Sequence, residues 1–458
     1  MTDVRHVAVI DIGKTNAKVA LVDLDTSSEV ASRRQPNRPR MDGPYPHHDV
    51  EALWAFILDG LAGLGREHPV DAISVTTHGA TAALVDAGGD LALPALDYEF
   101  DGPDRLRGAY EAVRPPFSET GTPALPAGLN LGAQLFWLQK TFPEAFAKAR
   151  VILPYPQFWA AKLTGVVASE VTSLGCHTDL WNPGARDFSS LVERMGWREL
   201  FPPPRKASDE LGPLLPAIAV RTGLDPATPV LCGIHDSNAS LLPHLLARKP
   251  PFAVVSTGTW VVAMAIGAAS TPLDPARDTL INVNAFGDLV PSARFMGGRE
   301  FELLMEGHSE QPSDDDLAAV LDGHTMLLPS AIAGSGPFPG RHAQWVGAEP
   351  HGGARHAAVS LYLALMTTTC LDLIGAEGIV VVEGPFSGNK PYLTMLEAAG
   401  QRPVVTGERE STGTSMGAAL LARKARSVIA SSDREDVGVG LETFRRYAAA
   451  WRSAVAAR

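Results

Sequence analysis

The sequence predicts an α/β protein of two domains, each opening on a hairpin with a small polar tip, placed on either side of a central cleft. Three observations carry this expectation. At 458 residues the chain is longer than the roughly 250–300 residues that one hydrophobic core organises. Strand and helix patterns alternate through its first third. The opening layout of apolar strand, small polar turn and apolar strand returns after residue 250, which suggests duplicated halves facing one another across a ligand cleft.

The first hairpin is read from VAVIDIG (7–13) and AKVALVDL (17–24), with EVASRRQ (29–35) as a third strand. A helix is expected from Asp49, whose carboxylate can cap free amides, with Val50, Leu53, Ile57, Leu61 and Leu64 as its apolar stripe. AISVTTHG (72–79) returns to strand, and AALVDAGGDLAL (82–93) reads as a hairpin turning at Gly88-Gly89. In the proline-rich middle, AQLFWLQKTF and QFWAAKLTG read as helices. FPPPR (201–205) is expected to be loop, because successive prolines cannot donate to a ladder. The second half opens with FAVVSTG (252–258) and WVVAMAIG (260–267). A long helix around 355–375, the strand IVVVEG (379–384) and a helix through STGTSMGAALLARKA (411–425) follow, the last packed closely through its small residues.

Composition narrows the function. Apolar residues at 45% and charged residues at 20% are those of a globular chain. A formal net charge of −12 argues against a broad electrostatic grip on nucleic acid or an anionic membrane. Any anionic ligand must then be held by local devices such as backbone amides, helix N-termini or a metal ion. Cys176, Cys232 and Cys370 are far apart and in no metal-ligand spacing, so packing roles in a reducing compartment are expected. The N-terminal stretch has no signal-peptide pattern and no run reaches the ~18 apolar residues of a membrane span. The expected location is cytoplasmic.

The two hairpin tips are the first candidates. Gly13 and Gly258 are expected to take positive φ and let the backbone approach a ligand, so that the two tips cradle a triphosphate. Thr15, Asn16, Thr257 and Thr259 would add donors, and Lys14 or Lys18 a positive charge. Asp11 would repel phosphate directly but suits a magnesium ion, which commonly binds through one or two carboxylates plus phosphate oxygens. Read alone, each tip is more often a plain hairpin turn, and it is the two in matching positions that point to phosphate. In PVLCGIHDSNASLL (229–242) Asp236 stands at the start of a helix, either as an N-cap or as the group that orients a hydroxyl and accepts its proton in phosphoryl transfer. His78 ends a strand beside the expected cleft and is a candidate for hydrogen-bonding a polyol, as are Asp97 and Glu99 in PALDYEFDG. Gly384, Ser387 and Asn389 in EGPFSGN form either a plain strand-to-helix turn or a seat for adenine and ribose.

Taken in order, these stretches resemble the FGGY carbohydrate kinases, of the sugar kinase, actin and heat-shock ATPase superfamily. DIGKTNAK (11–18) is similar to the family's first phosphate motif, GIHDSNA to the segment carrying its catalytic aspartate, STGTW to the second phosphate motif, and EGPFSGN with MGAALLA to the adenosine motif and its closing helix. The resemblance implies two ribonuclease-H-like domains, 1–242 with the sugar site and Asp236, and 243–458 with the nucleotide site. It also implies ATP and Mg2+ as cofactors and transfer of the γ-phosphoryl to a sugar. STGTW and EVTSLGCHT (170–178) look most like the branch acting on 6-deoxyketohexoses, L-rhamnulose and L-fuculose, and THG (77–79) resembles the sugar-contacting segment, which brings in His78 and Gly79. Lys14 stands where most members have threonine, Gln157 where many have aspartate, and Pro385 interrupts the usual glycine pair. Rival readings are a ketopentose or polyol kinase on the same scaffold, or a non-catalytic nucleotide- or sugar-binding regulator. A homodimer stays open.

Overall fold

The computed structural model describes residues 4–407, 413–423 and 440–458. The chain divides into two compact units. The first takes the chain up to Ala247 together with Ile281–Leu289 and the described part of 412–429. The second takes Arg248–Leu280 and the described parts of 290–411 and 430–458.

In the first unit, strand β1 (His6–Ile12) pairs antiparallel with β2 (Asn16–Asp23), and β2 with β3 (Ser28–Pro36). Helix α1 (Val50–Glu67) crosses to β4 (Ala72–Thr77), which lies parallel to β1. Pro229–Leu231 and Glu210–Pro213 extend the sheet beyond β4, and Ile234–His235 pairs with the end of β4. β1 is apolar at successive positions because both of its faces are covered. Ala8, Ile10 and Ile12 share a core with Leu53, Ile57 and Leu61 of α1, whereas Val7 and Val9 pack with Leu242, Ala418 and Ala419 from the helices Asp236–Ala247 and Gly413–Leu420. α1 begins where its cap was expected, with Asp49 Oδ1 accepting from the Ala52 N–H at 3.1 Å. The small residues of Gly413–Leu420 allow the close packing expected of them: a Cβ on Gly417 would run into the Ala239 carbonyl. Of the helix read over 411–425, residues 411, 412, 424 and 425 lie outside the described residues.

The second unit repeats the scheme. Phe252–Thr257, Val261–Ile266 and Leu289–Phe295 are successive antiparallel neighbours, and Ile379–Glu383 lies parallel to the first of them with Val404–Thr406 beyond. Its core is organised around the helix Gly352–Leu373, whose Leu361, Tyr362 and Leu365 are fully buried. Among the described residues this is the one helix long and apolar enough to cross a membrane, although its apolar residues form no unbroken run. Its most apolar stretch is 78% buried inside the protein.

One expectation needs correction. Pro204–Arg205 is not simple loop: it pairs parallel with Ser169–Glu170, and the Ser169 N–H donates to the Pro203 carbonyl at 3.3 Å. A proline gives no donor but still accepts. The helices Asp314–Asp322, opened by a Ser313/Asp316 capping box, and Leu441–Ala456 were not read from the sequence.

Candidate active site

Neither tip glycine is used as expected. Gly13 and Gly258 do not have positive φ, and their N–H groups close the turns themselves, Gly13 to the Asn16 carbonyl and Gly258 to the Trp260 carbonyl, each at 2.9 Å. A two-stranded turn this tight needs its own first amide as the closing donor, so neither of these two amides is available to phosphate. Asn37 was not read from the sequence, yet it braces the first tip: its side chain donates to the Gly13 carbonyl at 2.7 Å and its N–H to the Thr15 carbonyl at 2.8 Å. Thr15 and Asn16 are exposed beyond that brace, with Asn16 Nδ2 donating to Thr15 Oγ1 at 3.1 Å.

Asp11 lies on β1 opposite Lys18 of β2 and Thr76 of β4. Burial pushes its carboxyl up to about 6; Lys18, 3.9 Å away, opposes that rise and the charge of Asp236 adds to it. Lys18 is itself shared with Glu29 at 3.0 Å, so Asp11 has less than one full counter-charge. Among the described residues no three His, Cys, Asp or Glu side chains form a metal-binding group. A buried Asp11 with less than one full counter-charge suits an ion that takes one protein carboxylate and completes its shell with water and phosphate oxygens.

Lys14 turns away from the role expected of it. Its ammonium contacts Asp97 Oδ1, lies 3.3 Å from Glu99 Oε2 and stands 5.0 Å over the ring of Tyr98. The physical reason is Asp97, a buried carboxylate that requires a cation. The residues expected on the phosphate and sugar sides are thus joined by one ion pair.

His78 belongs to the same cluster, its ring 5.4 Å from Tyr98, 5.0 Å from His48 and 5.3 Å from Tyr155. His78 Nδ1 lies 2.9 Å from the Gly79 carbonyl, which can only accept, so that nitrogen carries the proton. Burial lowers the histidine's pKa, with the Gly79 bond and the charge of Asp236 acting against the fall. The result is a neutral ring whose buried Nε2 has no hydrogen-bond partner among the described residues. A bare imidazole nitrogen of this kind accepts a hydroxyl. His48 and Tyr155 were missed because an apolar neighbourhood hides a polar atom from pattern reading; both nitrogens of His48 and the Tyr155 hydroxyl are buried without hydrogen-bond partners among the described residues.

Asp236 opens the helix Asp236–Ala247, directly after the short strand Ile234–His235. Its side chain is 32% exposed. Oδ1 accepts from the Ser237 N–H at 2.6 Å and lies 3.2 Å from His235 Nε2, while among the described residues no hydrogen bond reaches Oδ2. An N-cap would instead accept from an amide two or three residues ahead. The carboxylate is therefore held on one oxygen and open on the other.

In the second unit a cavity of about 670 Å³ is lined by Gly258 and Thr259 of the second tip, by Phe301, His356 and Phe386, and by Asn389. This volume is that of a small-molecule site. Three residues expected at the nucleotide have structural duties around it. The Thr257 hydroxyl donates to the Glu383 carbonyl and accepts from the Phe386 N–H at 3.1 Å, which ties the tip to the EGPFSGN turn. Gly384 has φ +80° and no room for a Cβ against the Thr257 carbonyl, so the turn itself requires glycine there, while the residue stays exposed on its outer side. Asn389 caps the next helix, accepting from the Tyr392 N–H at 3.1 Å and donating to Ser360 Oγ at 2.8 Å. Ser387 is buried. Phe301 and His356, rings 5.4 Å apart, were not read from the sequence. The clue was the GG opening the helix Gly297–Leu304: a Cβ on Gly298 would strike the Gly258 carbonyl.

An antiparallel meander followed by a parallel strand, built twice in one chain, is the two-domain ribonuclease-H-like plan of the actin-like ATPases. The chain belongs to the FGGY family of carbohydrate kinases. Residues 6–243 match the family's N-terminal domain and residues 249–430 the domain described as "Carbohydrate kinase FGGY, C-terminal domain". A carbohydrate kinase structure from Novosphingobium aromaticivorans is 38% identical, with a TM-score of 0.90 and coverage of 100% of this chain and 99% of that one. L-fuculokinase of Escherichia coli K12 is 26% identical over 273 residues, 56% of each chain. Xylulose kinase of the same strain is 27% identical over 241 residues, 50% of this chain and 48% of its own. The chain thus spans about half the length of the curated relatives it matches.

Proposed function

We propose that this protein is an ATP-dependent sugar kinase that phosphorylates a 6-deoxyketohexose, L-fuculose or L-rhamnulose, at the terminal hydroxyl beside the ketone. The observation that carries the reading is the carboxylate of Asp236, fixed at Oδ1 and open at Oδ2, in the same electrostatic field as Asp11 and His78. Phosphoryl transfer passes through a loose transition state that asks for little covalent help, so one aligned carboxylate plus charge neutralisation is most of what a protein must supply. Asp236 orients the acceptor hydroxyl and takes its proton. His78 Nε2 accepts from a second hydroxyl, and Asp97 and Glu99, with Gly79 beside them, supply further acceptors. Asp11 would hold Mg2+, which neutralises phosphate charge when bound with ATP. The exposed Thr15 and Asn16 of the first tip offer donors to phosphate oxygens, and the cavity in the second unit lined by Thr259 and Asn389 takes the nucleoside.

The likeness to L-fuculokinase supports the 6-deoxyketose, and the weaker-covering likeness to xylulose kinase keeps a ketopentose in the test. A coupled ADP-release assay over L-fuculose, L-rhamnulose, D-xylulose, ribulose and erythritol decides between them. The expected result is the highest kcat/KM on a 6-deoxyketose. Higher kcat/KM on D-xylulose or erythritol would overturn the substrate assignment, and no ADP formation with any of them would overturn the kinase itself.

A further inference from the structure

We propose that His235 is a positioning residue: its Nε2–H, 3.2 Å from Asp236 Oδ1, holds the carboxylate in one orientation so that Oδ2 is presented to the acceptor hydroxyl. This rests on the kinase reading above. The Ser237 amide that also reaches Oδ1 is the next residue in the chain, a bond many aspartates make locally. His235 is different, because its ring is immobilised from outside the Asp236 helix.

Two features hold it. The His235 backbone N–H donates to Thr172 Oγ1 at 3.1 Å, which fixes the main chain carrying the ring, and that hydroxyl donates to Glu170 Oε2 at 2.5 Å. Glu170 is itself fully buried and accepts from the Thr172 N–H at 2.9 Å and the Ser173 N–H at 3.2 Å. On the ring's other flank is Gly79, where a Cβ would come within 2.7 Å of Nε2. Only glycine lets the imidazole lie against the end of β4, and the Gly79 carbonyl is the same one that accepts from His78. The side chain of His235 is 6% exposed. An immobile donor at one carboxylate oxygen restricts rotation of the other, the restriction a proton acceptor needs for alignment with a hydroxyl.

The groups facing His235 are Asp236 on its own segment, Cys176 and Glu170 from the preceding segment, and His78 from the end of β4. Burial disfavours the charged ring, but Cys176 and Asp236 outweigh it, so the direction is upward and Nε2 keeps its proton.

Two variants separate positioning from packing. His235→Leu fills the space without a donor, and His235→Gln can place an N–H near the Nε2 position without the charge. His235→Leu is expected to lower kcat by ~10–100-fold with KM for sugar and ATP changed by less than about threefold, a smaller loss than the ~10²–10⁴-fold expected from removing the proton acceptor itself. The acid limb of its kcat/KM profile should move to higher pH, because the acceptor loses a cationic donor. His235→Gln should recover most of kcat while keeping the shifted limb. Wild-type kcat in folded His235→Leu would overturn the proposal, as would equal losses in both variants with raised KM and an unmoved limb. A second readout needs no turnover: histidine-ring NMR, with His235 assigned through His235→Gln, should show that ring titrating at lower pH in Asp236→Asn than in wild type. An unchanged titration in an active enzyme overturns the pairing, whereas a lowered titration in a protein that phosphorylates nothing supports the pairing and overturns the kinase reading.

Discussion

Replacing Asp11 by asparagine should make the metal-free protein more stable near neutral pH. In the folded chain burial raises this carboxyl from its usual 3.8 to about 6. Between those values the folded state binds a proton that the unfolded chain has lost, so stability falls as pH rises through the window and the loss is complete above about pH 7. A shift of about two units at about 1.4 kcal/mol each gives a penalty of ~3 kcal/mol. The side chain is 17% exposed, so screening removes little of it, and Lys18 keeps its 3.0 Å partner Glu29 in the variant. At roughly 2 °C per kcal/mol for a unit of this size, Asp11→Asn should raise Tm by ~6 °C at pH 8 and by almost nothing at pH 4. Calorimetry across pH 4–8 without divalent metal measures the difference. With saturating Mg2+ and nucleotide the order should reverse, because the wild type gains binding energy that the variant lacks. A variant less stable than wild type at pH 8, or a Tm gain equal at pH 4 and pH 8, would refute the reasoning.

Further outcomes follow from the same geometry. A Cβ at Gly258 meets nothing closer than 3.8 Å, so Gly258→Ala should leave Tm within about 1 °C while lowering ATP affinity; unchanged affinity by titration calorimetry would show that the second tip does not touch the nucleotide. Gly298→Ala forces a methyl onto the Gly258 carbonyl and should lower both Tm and ATP affinity, the latter by at least ~10-fold. Lys14→Met strips the cation from buried Asp97, which should destabilise the fold by ~2–4 kcal/mol in urea titrations and raise KM for sugar more than KM for ATP; the reverse ranking of KM changes would place Lys14 at the phosphate after all.

Much of this architecture could be read from residue patterns because local and global preferences agree. The strand at 7–12 is apolar at successive positions since both its faces are covered, and Asp49 and the stripe from Val50 to Leu64 define α1 without any tertiary information. The candidate residues were found where chemistry is written into residue type, as with Asp236 after a glycine turn. What could not be read was how each group is used. Gly13 and Gly258 have their N–H groups closed within the turns, Gly384 is glycine because the Thr257 carbonyl fills its Cβ space, and Lys14 answers a carboxylate 83 residues away. His48, Tyr155, His235 and Phe301 gain meaning from neighbours distant in sequence, Thr172 and Gly79 in the case of His235, which no local period reveals. Helix Asp314–Asp322 was legible in its Ser313-to-Asp316 capping box but was overlooked because its apolar face is short.

The central claim is that Asp236 accepts the sugar's proton. The most direct measurement is kcat of Asp236→Asn at saturating ATP and saturating sugar, with circular dichroism and Tm confirming an intact fold. A fall of ~10²–10⁴-fold with ATP binding retained is the predicted result, matching what a positioned proton acceptor contributes. A folded Asp236→Asn enzyme turning over at the wild-type rate would contradict the account.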